Sequence, residues 1–374
     1  KTVLFGAKDE LPDDLPTSSI RGLAPARNLV ASVEGNVLIA QKLRWSTTFA
    51  NSFITDNTDA PLLPDSLQTG LGDDNASSSS EQAVLSTLSF NTPKVNWNLS
   101  YERLSPNYRS LGTFYLTPDR ENITAGSAFS LSDNKYTISL NGGLQRNNLA
   151  DSRTSTQRRI IAQLAANARP TDRFSANLNL SNFNNTNRLR TFFDAATSTD
   201  SLFLAQVNRS GRLGLRLANR KDRAPGSWSL DLSLQDAQAI QDEELTTFQS
   251  TIYNAYLAYA GQLPAWKLTY RVQGLVGLTR ALGLDNQLIS PSLVLVRSFD
   301  EDRHSINLTG SYSMVDYEDR GDGTVLLLRL GLNLTVTENS TLNLRGQFTR
   351  RGIGDLPRFS ETIIALSYAW NFTS

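Results

Sequence analysis

Residues 358–372 read RFSETIIALSYAWNF. Thr362, Ile364, Leu366, Tyr368, Trp370 and Phe372 fall on one face of an extended strand, while the smaller or more polar Ile363, Ala365, Ser367, Ala369 and Asn371 fall on the other. The same two-residue period recurs along most of the 374 residues. Phe174, Ala176, Leu178 and Leu180 alternate with Ser175, Asn177, Asn179 and Ser181. Leu326, Leu328, Leu330, Leu332 and Leu334 alternate with Arg329, Gly331, Asn333 and Thr335, and Trp228, Leu230, Leu232 and Leu234 with Ser229, Asp231, Ser233 and Gln235. Such a chain must form sheets with one apolar and one wet face. No apolar run reaches the roughly eighteen residues that a helical span requires. If the chain lies in a membrane, it crosses as a β-barrel, because only helices and closed barrels satisfy every backbone N–H and C=O in hydrocarbon.

Alternation alone fits a soluble sandwich, whose apolar faces share a core, as well as a membrane barrel, whose apolar face meets lipid. Aromatics and turns separate the two. Trp45, Trp97, Trp228, Trp266 and Trp370 all stand near a short turn or the chain end, on the apolar face, where an interfacial girdle belongs. Short turns around Gln41, before Val95, at Ser132, Pro170, Ala224, Gly261, Asp300 and Thr337 alternate with longer polar stretches at 55–81, 149–156, 184–201, 238–245, 316–323 and 352–358. Bacterial outer-membrane barrels place short turns on the periplasmic rim and long loops outside. The expected fold is therefore all-β: an antiparallel transmembrane β-barrel of roughly eighteen strands of about ten to fourteen residues, suited to a tilted span. The run GDDNASSSSE, which includes Ser77 to Ser80, reads as a solvated, mobile loop.

The whole of 1–374 reads as one outer-membrane barrel region. Residues 1–28 form a partial strand and an external loop, and 29–372 form up-and-down strands that end in the aromatic C-terminal one. KTVLFGAKDE supplies about seven strand residues, fewer than the nine to eleven of a full span. The expectation is that a preceding segment, rather than residues 1–8, completes the barrel edge.

Composition narrows the chemistry. Lysine and arginine total 36 against 36 aspartates and glutamates, so no basic surface points to nucleic acid. Absence of Cys removes disulfides and thiolate metal sites. The single histidine, His304, lies in DEDRHS, read as a solvated turn, and the adjacent Ser305 would point away from the imidazole on an extended chain. The loop acids Asp56, Asp59, Asp73, Asp74, Asp242, Glu243 and Glu244 lack the spacing of a calcium loop. GIGDLP and GDGT lack the Lys-Ser or Lys-Thr that opens a helix after a phosphate cradle. No catalytic residue, cofactor or metal site is expected.

The wet face is rich in Asn, Ser, Gln and Arg. Lys267, Arg271, Arg329, Arg345, Asn343 and Gln347 are the expected lumen-lining residues. Its arginines either bias passage toward anions or pair with inward acids such as Glu34, Glu102 and Asp231, and pairing is the expectation.

The segments KTVLFGAKDE, NYRSLGTFY at Asn107 to Tyr115 and LQRNNL at Leu144 to Leu149 resemble the C-terminal barrel region of a large family of Bacteroidota outer-membrane β-barrel proteins. This resemblance implies fold and compartment and carries no catalytic residues. The expected function is a non-enzymatic barrel in the bacterial outer membrane, acting as a channel or as a subunit of an assembly, secretion or uptake complex. Its partners would be lipid, lipopolysaccharide and other outer-membrane or periplasmic proteins. The alternative is a soluble all-β surface adhesin or glycan binder.

Overall fold

A computed structural model describes residues 1–9, 24–64, 75–112, 117–190, 201–219, 225–241, 244–281, 284–300, 303–318, 321–337, 339–354 and 357–370. Eighteen strands account for most of them. They are β1 (Thr2–Lys8), β2 (Arg27–Ile39), β3 (Leu43–Thr55), β4 (Ser78–Asn91), β5 (Val95–Leu104), β6 (Arg120–Leu131), β7 (Tyr136–Asn147), β8 (Ser155–Ala168), β9 (Phe174–Arg190), β10 (Ser201–Asn219), β11 (Gly226–Gln241), β12 (Glu244–Leu263), β13 (Leu268–Ala281), β14 (Leu284–Phe299), β15 (His304–Tyr317), β16 (Gly321–Thr337), β17 (Ser340–Ile353) and β18 (Phe359–Trp370). This is the strand architecture of the all-β, antiparallel transmembrane β-barrel class.

The chain divides into two compact units. One comprises residues 1–129, 139–162 and 184–205, and it contains an antiparallel ladder that runs without interruption from β1 to β6. The other comprises residues 130–138, 163–183 and 206–374, and it contains the ladder from β11 to β18.

Registers in the second unit show how the alternation is spent. Because antiparallel partners share a face, Tyr270, Leu295, Leu308, Leu330, Gly346 and Ile364 form one row across six strands. Neighbouring rows on this face repeat the pattern from Ile306 to Met314 on β15, nine residues, and then meet charge at Asp316 opposite Asp322 and at Arg280 opposite Asp285. Nine residues match the length of a tilted membrane strand. These apolar side chains are exposed: Val272 at 53%, Leu330 at 48% and Ile364 at 73%. Among the described residues only Ala26, Ala50, Ile54, Leu104, Tyr108, Ala205, Val207 and Ala258 are buried hydrophobics, so the apolar faces of these strands do not close on a shared core.

Aromatics gather at the short-turn end of that face. Trp228, Tyr259 and Tyr270 step across β11, β12 and β13, with ring centroids 4.8 and 5.9 Å apart. In the first unit Phe90 stacks on Trp97 at 6.0 Å. Trp266, expected on a strand, stands in a 3-10 turn at Pro264–Trp266, and Gly261, expected in a turn, belongs to β12. The proline fixes the turn beyond Gly261 because it presets the φ that the first position of a tight helical turn needs.

Other boundaries also differ. Strands run from seven to twenty residues, not ten to fourteen. Ser78 to Ser80 open β4 opposite Thr55 to Phe53, where a mobile loop was expected, while residues 65–74 of that stretch lie outside the described residues. The cause is Asn75: its side chain accepts from the Ser77 N–H at 2.8 Å and donates to the Asn57 carbonyl at 2.7 Å, which pins the hairpin entry. The expected long stretches 238–245 and 316–323 are tight connections, with β12 resuming at Glu244 and β16 at Gly321. Polar residues continue the alternation there, and Gly321 takes the left-handed φ of +73° that so short a return requires. The contrast between short and long rims is therefore weaker than the sequence suggests. Residues 10–23 and 191–200, expected in external loops, lie outside the described residues, as do Asn371 and Phe372 of the terminal strand.

Candidate functional site

The face opposite the apolar rows carries the polar residues. On it, Arg271, Val294, Thr309, Arg329 and Gln347 form a single row across five strands. The next row toward the short turns holds Thr269, Val296, Asn307, Gly331 and Arg345, and the one after holds Ser298, Ser305, Asn333 and Asn343. Five of the six residues expected from sequence to line a lumen thus occupy three consecutive rows. Lys267, the sixth, sits just before β13 in a left-handed conformation, and its carbonyl accepts from the Ser298 N–H at 3.1 Å.

Hydrogen bonds knit this face. Arg329 Nε donates to Gln347 at 2.9 Å, Asn333 donates to Ser305 at 3.1 Å, and Ser290 bonds Ser313 at 2.8 Å. The expected pairing of Arg271, Arg329 and Arg345 with acids is not found among the described residues. Asp231 takes Arg212 at 2.9 Å, Glu102 takes Arg120 at 2.6 Å, and Glu34 accepts from Asn36. Register explains this: Asp231 and Glu102 meet cations on adjoining strands and Glu34 meets Asn36 on its own strand, while the three arginines face Val294, Thr309 and Gly331. They remain hydrated cations on a polar wall. A cavity of about 770 Å³ opens beside this wall, lined by Asn179, Ser210, Arg212, Asp231, Gln235 and Tyr256 among others. The Arg212–Asp231 ion pair neutralises its charge locally, and amides and hydroxyls share the remaining lining with Leu180, Leu234 and Leu275.

The first unit carries a more elaborate arrangement that the sequence did not single out. The segment that follows β5 turns back over the polar face of its own sheet. Asp119 N–H donates to the Ser105 carbonyl at 3.1 Å and closes its base, and the Asp119 carboxylate is held by the Leu149 N–H at 2.7 Å and by Arg153 at 2.7 Å. Tyr108, only 5% exposed, fills an apolar niche made by Ala50, Leu104 and Ala83 on β3, β5 and β4. Ser52 Oγ donates to the Arg109 carbonyl at 2.5 Å, and the Leu111 N–H donates to Asn28 Oδ1 at 3.1 Å. Asn28 is 1% exposed and donates in turn to Ser52 Oγ at 2.8 Å. Arg109 reaches Asp56 at 2.6 Å. Burial pushes the Tyr108 hydroxyl above the ordinary tyrosine value. Ala50, Ala83 and Leu104 form one apolar row on this face, but Val30, Ile54 and Leu85 share it, so no local pattern in the sequence marks the seat.

Among the described residues the groups considered for catalysis or metal binding stand apart. His304, expected in a solvated turn, is the first residue of β15; its Nδ1 accepts from the Thr335 N–H at 3.2 Å and its Nε2 lies 3.4 Å from Asp300. Its ring packs on Phe299, which draws it into the hairpin. Ser305 is held by Asn333 on the other face. Among the described residues no three His, Cys, Asp or Glu side chains gather to hold a metal, and no helix is long and apolar enough to cross a membrane, which says nothing of a β-barrel. Asp73, Asp74, Asp242 and Glu243 lie outside the described residues.

No protein-family model matches this chain, and no curated protein matches it. Solved structures similar to it include the ferric yersiniabactin uptake receptor of Yersinia pestis, at 11% identity and a TM-score of 0.38 over 88% of this chain and 60% of that one. The outer membrane transporter YddB of Escherichia coli is similar at 8% identity and 0.37, over 87% of this chain and 47% of that one. The outer membrane protein OpdK of Pseudomonas aeruginosa is similar at 10% identity and 0.35, over 98% and 96%. The chain thus spans about half to three-fifths of the length of the first two.

Proposed function

We propose that this chain is a non-enzymatic barrel of the bacterial outer membrane whose polar face lines an aqueous passage for small polar solutes. One observation carries the reading: a nine-residue apolar belt, exposed to its surroundings, ends in aromatics on one side and charges on the other, while the opposite face is hydrogen-bonded polar wall. Water makes that belt costly and hydrocarbon makes it favourable, at about 25 cal/mol per Å² of apolar surface. A soluble adhesin or glycan binder would bury the same rows in a shared core.

Lys267, Arg271, Arg329, Arg345, Asn343 and Gln347 line the passage in this reading. The short turns face the periplasm, and lipid and lipopolysaccharide surround the belt. Resemblance to the Bacteroidota barrels extends the proposal: the chain serves there as one region of a larger barrel or as the membrane subunit of an uptake, secretion or assembly complex. Purification in detergent followed by planar-bilayer recording tests the core claim. The expected result is a heat-modifiable band on a gel and stepwise conductance; extraction into buffer without detergent would overturn it.

A further inference from the structure

We infer that the segment from Ser105 to Gly112 is a size-selecting constriction, latched onto the passage wall by Tyr108. The inference rests on the channel reading above, since it takes the polar face as the side that solutes meet.

Three features set this segment apart from an ordinary connecting loop, which runs over the outer surface and keeps its backbone groups in water. First, it lies on the polar face. Asn28 and Ser52 share that face with Glu34, Thr48 and Glu81, opposite the face that carries Val33, Trp45 and Phe49. Second, its seat is built for it. The polar alternation is broken by Ala50, Ala83 and Leu104 at neighbouring positions of β3, β4 and β5, and the Tyr108 ring fills that break. Third, its tip is fixed through the backbone. Asn28 and Ser52, both essentially inaccessible, hold the Leu111 N–H and the Arg109 carbonyl, so no side chain of the segment is needed for these two contacts. At the tip, a methyl group on Gly112 would meet the Phe5 ring of β1 at 2.9 Å, so the backbone there lies close against that ring.

Residues 105–112, seated by one ring and two hydrogen bonds to their backbone, occupy cross-section that solutes would otherwise use. Arg109 and Asp56, both exposed, place one cation and one anion beside the seated segment. They cancel, so the constriction selects by size before charge. The latch is a small set of individually weak contacts, which suits a part that can lift.

The test compares single-channel conductance and the largest polyethylene glycol that still reduces it by entering the pore, for the wild type, for Tyr108→Ala and for Asn28→Cys/Leu111→Cys. The chain has no native Cys to interfere. Removing the ring should raise conductance about twofold and admit larger polymers, as pore diameter governs both. The oxidised double-cysteine protein should keep the wild-type cut-off and gain conductance on reduction, which covers the case in which Tyr108→Ala fails to fold. Identical conductance and cut-off in all three would overturn the constriction and leave the channel intact. Silence from wild type and both variants would remove the channel reading and this inference together, whereas a silent wild type with a conducting Tyr108→Ala would support a fully seated segment.

Discussion

Trp228 on β11 lies directly opposite Tyr259 on β12, their rings 4.8 Å apart and tilted by 50°. Tyr259 in turn approaches Tyr270 on β13 at 5.9 Å, so three amphipathic rings follow one another across three strands at the short-turn end. Such rings favour the headgroup layer, with their polar tips in water. Tryptophan fluorescence of a Trp228-only variant, reconstituted with lipids brominated at different depths, should be quenched most by the shallowest bromine. Strongest quenching by the deepest bromine would place this row at mid-membrane and shift the belt.

Leu330 lies mid-belt, 48% exposed and opposite Leu308, whereas Asn333 faces the polar side opposite Ser305. Leu330→Arg should cost about 2–4 kcal/mol of stability in a bilayer, and Asn333→Arg should be mild. Urea unfolding in lipid vesicles measures both. Equal tolerance would sink the membrane placement of this face.

Arg271, Arg329 and Arg345 have no acid partner among the described residues and occupy adjoining rows. Replacing all three by Gln should lower anion over cation permeability, read as a shift of reversal potential in a salt gradient toward cation preference. An unchanged potential would mean that these rows do not border the path.

How much of this was legible in the sequence depends on what each residue answers to. Leu326 to Leu334 announce their face because lipid or core imposes one period on the whole strand, and the strand count followed. Boundaries were harder. Gln238 and Gly321 look like loop residues because composition there is polar, yet polar residues alternate too, and the ladder runs on through them to tight returns. Arg329 and Gln347 could be named as polar-face residues, but their sharing a row depends on register, which is a property of two strands. The Tyr108 seat was harder still: Asn28 meets Leu111 at a separation of 83 positions and Ser52 meets Arg109 at 57, and neither contact carries a local period.

Tyr108 gives the seated segment a dependence on pH. Its hydroxyl is held in the neutral form by burial, so its value is raised above 10.0. A raised value means that the seated state keeps its proton longer than the lifted one. Seating is fully favoured below 10.0 and weakens as pH climbs through the raised value. Conductance should therefore rise at strongly alkaline pH in the wild type and stay flat in Tyr108→Phe, which keeps the ring and loses the ionisable group. Parallel behaviour of the two proteins would assign the alkaline response elsewhere.

The twenty-residue β12 outruns the belt it crosses. Past Tyr253 it continues to Glu244, a further nine residues or about 30 Å of extended chain. Its ladder with β11 breaks register after Gln238 opposite Gln249 and resumes at Ile240 opposite Leu245, so this overhang is a bulged ribbon paired again at its end and not a tether. On the membrane placement proposed above, a peptide grafted at the end of that ribbon would be carried beyond the belt, and its accessibility to antibody on intact cells would report which rim of the barrel faces outward.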